Sequence, residues 1–112
     1  MTVVWKGLVE GVVAAAVNTT QYTAPANTRT IIDKMTATNT TAGAVTLTVN
    51  LVASAGAASA ANTVMSAQSI AAGTTYTCPE VAGHVLNPGG FLSTNAGAAA
   101  SISVRVSGRE SS

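Results

Sequence analysis

The residues with chemical potential in this chain are few and stand close together. Cys78, Glu80 and His84 fall within seven positions, and the remaining carboxylates are Glu10, Asp33 and Glu110. A thiol, an acid and an imidazole are the raw material of a nucleophile–base–orienter arrangement. The same three types also ligate metal, but a zinc site asks for four ligands at characteristic spacing, and three mixed residues fall short of that. The expectation is therefore a buried structural thiol and a loop histidine, with no catalytic, cofactor-binding or metal-binding residue. The paired glycines Gly89-Gly90 do not open a helix and carry no phosphate-loop pattern. Five scattered basic residues make no stripe for nucleic acid. Trp5, Tyr22, Tyr76 and Phe91 would suit a sugar-stacking platform, but spread over separate segments they read more simply as core.

The elements that would position these groups are strands. The run from Thr28 to Ala53 holds two, joined by a small-residue turn at Thr40-Thr41-Ala42-Gly43, and reads as a hairpin. In its second strand Val45, Leu47, Val49 and Leu51 share one face, while Thr46, Thr48 and Asn50 share the other. Such alternation marks a half-buried strand. The first strand is less regular: either it is covered on both sides near Ile31-Ile32, or a bulge shifts the register around Asp33-Lys34, and the favoured placement of both Ile32 and Met35 in the core requires the bulge.

Elsewhere, Val3 to Val9 is a first strand, and Gly11 to Val17 is open between strand and helical turn. Asn18-Thr19-Thr20 is a turn, Gln21 to Ala24 is extended up to Pro25, and Ala26-Asn27 is a corner. The small-residue run Ser54 to Asn62 is an exposed loop. Thr63 to Ala71 is a strand with Val64 or Met65 and Ile70 inward, and Thr74 to Cys78 is a strand closed by Pro79. Asn87-Pro88-Gly89-Gly90 fits a type II turn. Phe91 to Asn95 is a short strand. The last, Ala100 to Ser107, turns Ile102, Val104 and Val106 inward, and Gly108 ends it. The organisation is a single domain: an N-terminal strand or arm over 1–17, a sandwich over 18–108 and a frayed tail over 109–112. Seven or eight strands without a convincing helix predict an all-β antiparallel β-sandwich, jelly-roll-like, with a closed barrel as the alternative.

Composition narrows the class further. Of 112 residues 47 % are hydrophobic but only 4 % aromatic, and 8 % are charged, with a net charge of +1. A typical soluble domain carries roughly a quarter charged residues. No charged residue occurs between Lys34 and Glu80, and none between Glu80 and Arg105. Thr, Ser and Asn interrupt every apolar stretch before it reaches the about 20 residues a membrane helix needs. The Val, Ile and Leu content argues against disorder. A secretory signal is not expected, since Glu10 splits the apolar run and Lys6 lies inside it. One cysteine excludes an internal disulfide. Asn18-Thr19-Thr20 and Asn39-Thr40-Thr41 match the glycosylation pattern but read as polar turn residues.

A family resemblance adds to this. Tyr22-Thr23-Ala24-Pro25-Ala26-Asn27-Thr28, then Ile31-Ile32-Asp33-Lys34, then Asn39 to Leu47 (NTTAGAVTL), resemble small structural proteins of tailed bacteriophages. Ser69 to Tyr76 (SIAAGTTY) and Ile102 to Glu110 (ISVRVSGRE) do so as well, whereas Val12 to Val17 has no counterpart. The resemblance implies a virion protein made in the host cytoplasm. It would be a capsid decoration (cement) protein on the capsid surface, or a minor tail or neck component. The implied partners are the major capsid protein or other virion proteins and further copies of itself, with no nucleic acid or membrane. It brings no catalytic residues. A carbohydrate-binding or adhesin module is the alternative from another class. On the first reading Thr46, Thr48 and Asn50 form a neutral face for a protein neighbour, since small polar side chains lose little rotamer freedom on burial.

Overall fold

The computed structural model describes residues 3–98 and 100–112; the first two residues of the expected 1–17 arm lie outside the described residues. Nine strands are present among them: β1 (Val3–Val13), β2 (Thr19–Thr23), β3 (Arg29–Asn39), β4 (Val45–Val52), β5 (Thr63–Ile70), β6 (Thr75–Tyr76), β7 (Val85–Leu86), β8 (Phe91–Ala96) and β9 (Ile102–Ser111). A single 3-10 turn, Ala60–Asn62, precedes β5.

The topology follows from folding one long two-stranded ribbon. Its apex is the 53–62 loop. From there β4 pairs with β5, β3 with β6 and β7, β2 with β8, and β1 with β9, all antiparallel. Wrapping the ribbon places β9 beside β3 and β8 beside β4. Sheet one then runs β1-β9-β3-β6, with β7 also on β3, and sheet two runs β2-β8-β4-β5. This is a jelly roll, a β-sandwich of two Greek keys. Its sixth strand is split into β6 and β7 by a connection containing Pro79, which has no N–H for a ladder, and Gly83 at φ 89°.

Between the sheets lie Ile32, Met35, Ala37, Ile102, Val104 and Val106 from one side and Leu47, Val49, Met65, Ile70, Leu92 and Ala96 from the other, all buried. Burying each larger aliphatic contributes about 1.5–3 kcal/mol. The predicted bulge is present: Ile32 pairs with Gly108 and Lys34 with Ser107, so Asp33 is the extra residue and Ile32 and Met35 both reach the core. The type II turn is also there, with Gly89 at φ 81° and Gly90 N–H donating to the Asn87 carbonyl at 2.8 Å.

Four expectations need correction. The Thr28–Ala53 stretch is not a hairpin, because β3 belongs to sheet one and β4 to sheet two. Its turn residues are those of a hairpin, but each strand finds better partners far away in the chain. Thr19 and Thr20 belong to β2 rather than to a turn. The final strand does not stop at Gly108 but continues to Ser111, held by β1 on one side and β3 on the other. A glycine in a strand interior reads locally as a terminator, yet here it marks a close approach of backbones. Trp5 is no core residue: it is 72 % exposed.

Candidate interaction surfaces

The Cys78, Glu80 and His84 side chains are not assembled into a site. Cys78 is buried, with its thiol 3.6 Å from the Tyr76 carbonyl. Burial, helped by the negative charge of Glu80, pushes the thiol from its ordinary 9.0 to about 12. That is the opposite of what a reactive cysteine requires. The Glu80 carboxylate instead accepts the Tyr76 hydroxyl, with both oxygens at 2.8 Å, a bond that raises the tyrosine pKa. His84 is exposed and is tied to β3 through its carbonyl, which accepts from the Ile32 N–H. Among the described residues no three His, Cys, Asp or Glu side chains come together to hold a metal.

Tyr22 is the other shifted group. It reaches from β2 of sheet two to sheet one, its hydroxyl bonded to Thr30 at 2.8 Å and to the Glu110 carboxylate. Burial first, then the bond to Glu110, raises it from 10.0 to about 12. Both shifts have one sign. Below the unfolded values the folded and unfolded chains hold the same protons. Above them the unfolded chain releases protons that the fold retains, so unfolding is favoured as pH rises. The melting temperature is expected to be flat from neutrality to about pH 9 and to fall between about pH 9 and 12. Cys78→Ala should remove the earlier part of that decline in a circular-dichroism pH series. A flat profile to pH 11.5 would contradict the assignment.

The larger feature is how charge is divided between the sheets. Lys6 and Glu10 lie on β1, Arg29, Asp33 and Lys34 on β3, and Arg105, Arg109 and Glu110 on β9, while Glu80 sits between β6 and β7. These nine are all the charged residues of the chain. Strands β2, β4, β5 and β8 carry none, so sheet two is neutral throughout. The charge-free intervals of the sequence supply β4, β5 and β8, which with β2 form this one sheet.

The outward side of sheet two holds the predicted face, in altered form. Thr46 is exposed and pairs with exposed Ser69, and Thr48 is half-buried opposite Asn95. The Thr48 hydroxyl is occupied, accepting the Ala67 N–H at 2.9 Å where β5 bulges with Ala67 at φ 43°. Asn50 does not present itself to a neighbour. It is 4 % exposed because the chain after β4 folds back over it. Its Nδ2 lies 3.0 Å from the Ser59 carbonyl, 2.8 Å from Asn62 Oδ1 and 2.9 Å from Thr63 Oγ1. The 53–62 loop therefore covers one end of the face, and the open part runs over Thr20, Thr46, Thr48, Ser69 and Asn95.

Sheet one presents a different surface, which the sequence did not reveal. The register aligns Trp5, Arg109, Ile31 and Val85 in one row across β1, β9, β3 and β7. The Arg109 guanidinium stacks 4.9 Å from the Trp5 ring centroid and grips Asp33 with two bonds of 3.1 and 3.0 Å. Such exposed pairs contribute about 1 kcal/mol or less, so the cluster orients Trp5 more than it stabilises the fold. Reading 109–112 as a frayed tail hid Arg109, and only the β1–β9–β3 pairing brings these residues together.

No family model and no curated protein sequence matches the chain. Among solved structures it is similar, at 13 % identity and a TM-score of 0.37, to a chain described as "Structure of infectious bursal disease virus Gx strain". The match covers 97 % of this chain and 39 % of that one. So distant a likeness carries no argument about function.

Proposed function

We propose that this chain is a non-catalytic structural component of a virion, and in particular a capsid decoration protein that seats the neutral face of sheet two against the shell. The observation that carries the reading is the confinement of all charge to sheet one and the β6–β7 connection. Covering a charged surface leaves ions stripped of water unless each is paired, at a cost of several kcal/mol. A face of Thr, Ser and Asn avoids that cost, while the charged sheet keeps the outer side wetted. Many weakly binding copies on a symmetric lattice would hold through multivalency. The phage-like motifs in β3, β4 and β9 point the same way.

The test is a charge placed on that face. Thr46→Lys is expected to reduce occupancy on particles sharply, counted by cryo-EM, while the melting temperature of the free protein stays within a few degrees, as for most surface changes. Normal incorporation would return the face to solvent. Copy number comparable to capsomers supports decoration, and a handful of copies at one vertex supports a tail or neck component. The exposed Trp5 favours a glycan-binding module as the competing reading, which requires Trp5 fluorescence to respond in a glycan screen.

A further inference from the structure

The residue order of β1 contains a symmetry that the fold leaves unused. β1 is an edge strand of sheet one, bonded to β9 on one side only. It is longer than the other edge strands, β2, β5, β6 and β7. Among the described residues, four of the six exposed large apolar side chains belong to it: Val3, Val4, Trp5 and Val13. Long apolar edges are ordinarily guarded by charge or bulges, because they template pairing with another chain. Read antiparallel against itself about Leu8, Val3-Val4-Trp5-Lys6-Gly7-Leu8-Val9-Glu10-Gly11-Val12-Val13 becomes self-complementary. Val3 meets Val13, Val4 meets Val12, Lys6 meets Glu10, and Trp5 meets Gly11.

We propose that the free edge of β1 pairs antiparallel with the same edge of a second copy, about a two-fold axis beside Leu8. Each rung then obeys the rules of cross-strand pairing. Valines pack on valines, Glu10 of each copy meets Lys6 of the other, which also holds Glu110 of its own chain at 3.4 Å, and the Trp5 ring covers a glycine, an arrangement known to rescue glycine in sheets. Lys6 and Glu10, which would repel or strand charge in most other registers, here select the register. A closed isologous contact of this kind stops at two copies. The β1–β9 register slips once between Gly7 and Val9 and again between Val9 and Val12. The axis thus falls on the first interruption, while the second, with Gly11 at φ 109°, lies beside Glu10, so the Val3–Val13 and Val4–Val12 rungs at either end rest on regular backbone and the charged rungs sit next to the slip. The contact uses an edge of sheet one and does not depend on the face of sheet two.

Light scattering across a concentration series reads the dimer, and charge reversal reads the register. Glu10→Lys sets Lys6 against lysine twice per dimer and is expected to weaken association by about tenfold or more. The double exchange Lys6→Glu with Glu10→Lys restores opposite charges and should recover most of the loss. Thermal melting of each variant separates a failed fold from a failed contact. For geometry, Val3→Cys mixed with Val13→Cys should give an oxidised cross-linked heterodimer. Val3→Cys alone should not cross-link, since its two sites lie about 33 Å apart in this register. A monomer throughout the concentration range, a dimer indifferent to the charge exchange, or Val3–Val3 cross-linking would each overturn the proposal.

Discussion

Gly108→Ala is expected to destabilise the domain by about 3 kcal/mol or more, and Gly108→Val to prevent folding, because the backbone facing the site cannot move aside. Gly108 sits in the middle of sheet one, paired with Lys6 on β1 and Ile32 on β3. A Cβ there would lie 2.1 Å from the Ile31 carbonyl oxygen and 2.9 Å from Leu8 Cδ1. The leucine can change rotamer, but the carbonyl belongs to the backbone of the bulge at Asp33 and is held by the strands on both sides. A domain of this size has about 5–15 kcal/mol in total, so the alanine variant would be marginal. Urea unfolding monitored by circular dichroism measures it. A loss below about 1 kcal/mol, the ordinary effect of a point mutation, would mean that the close approach at Gly108 is not a constraint.

The second large effect is at Asn39, which is fully buried at the end of β3. Its Nδ2 donates to the Gly43 carbonyl at 2.8 Å and the Ile70 carbonyl at 2.9 Å, and its Oδ1 accepts the Thr41 N–H at 2.9 Å and hydroxyl at 2.7 Å. One side chain thus holds the corner from sheet one to sheet two and ties it to the end of β5. Its backbone adds bonds to Thr74 and Gly73. Asn39→Leu keeps the branching and heavy-atom count of the side chain but strands buried donors and acceptors, at about 1–3 kcal/mol each, for an expected total of about 3–5 kcal/mol. Asn39→Asp should be at least as damaging at neutral pH and milder in acid, where the carboxyl is protonated and regains one donor. Equal stability of wild type and Asn39→Leu would assign the corner to its backbone alone.

Both positions show where local reading stops. The Ile32/Met35 spacing revealed the bulge on β3, because two core residues three apart violate alternation whatever the partner. It could not reveal Gly108, 75 positions away, whose missing side chain lets β9 lie against that bulge. Asn39-Thr40-Thr41 announced a turn through its residue types. Whether the turn closes a hairpin or carries the chain to the other sheet depends on the partners of β3 and β4, and those are β9, β6 and β7 for β3 and β8 and β5 for β4. Thr46 and Thr48 were legible as outward residues from their period. Asn50 shares that period, yet the loop folded over it reversed its exposure.

The sequence by itself determined the class of molecule: an all-β sandwich, a core drawn from Ile32, Met35, Leu47, Val49, Ile70 and the final strand's Ile102, Val104 and Val106, and long stretches free of charge. Those properties reside in alternation, turn chemistry and composition, which act over a few residues. Only the tertiary structure decided which strands are neighbours. Pairing of distant strands brought the uncharged β2, β4, β5 and β8 into one neutral sheet, joined Trp5 to Arg109, and left Cys78, Glu80 and His84 unassembled although the chain sets them side by side. Backbone hydrogen bonds are the same for every pair of strands. The choice among partners therefore falls to burial and register summed over the whole sandwich, which no local window contains.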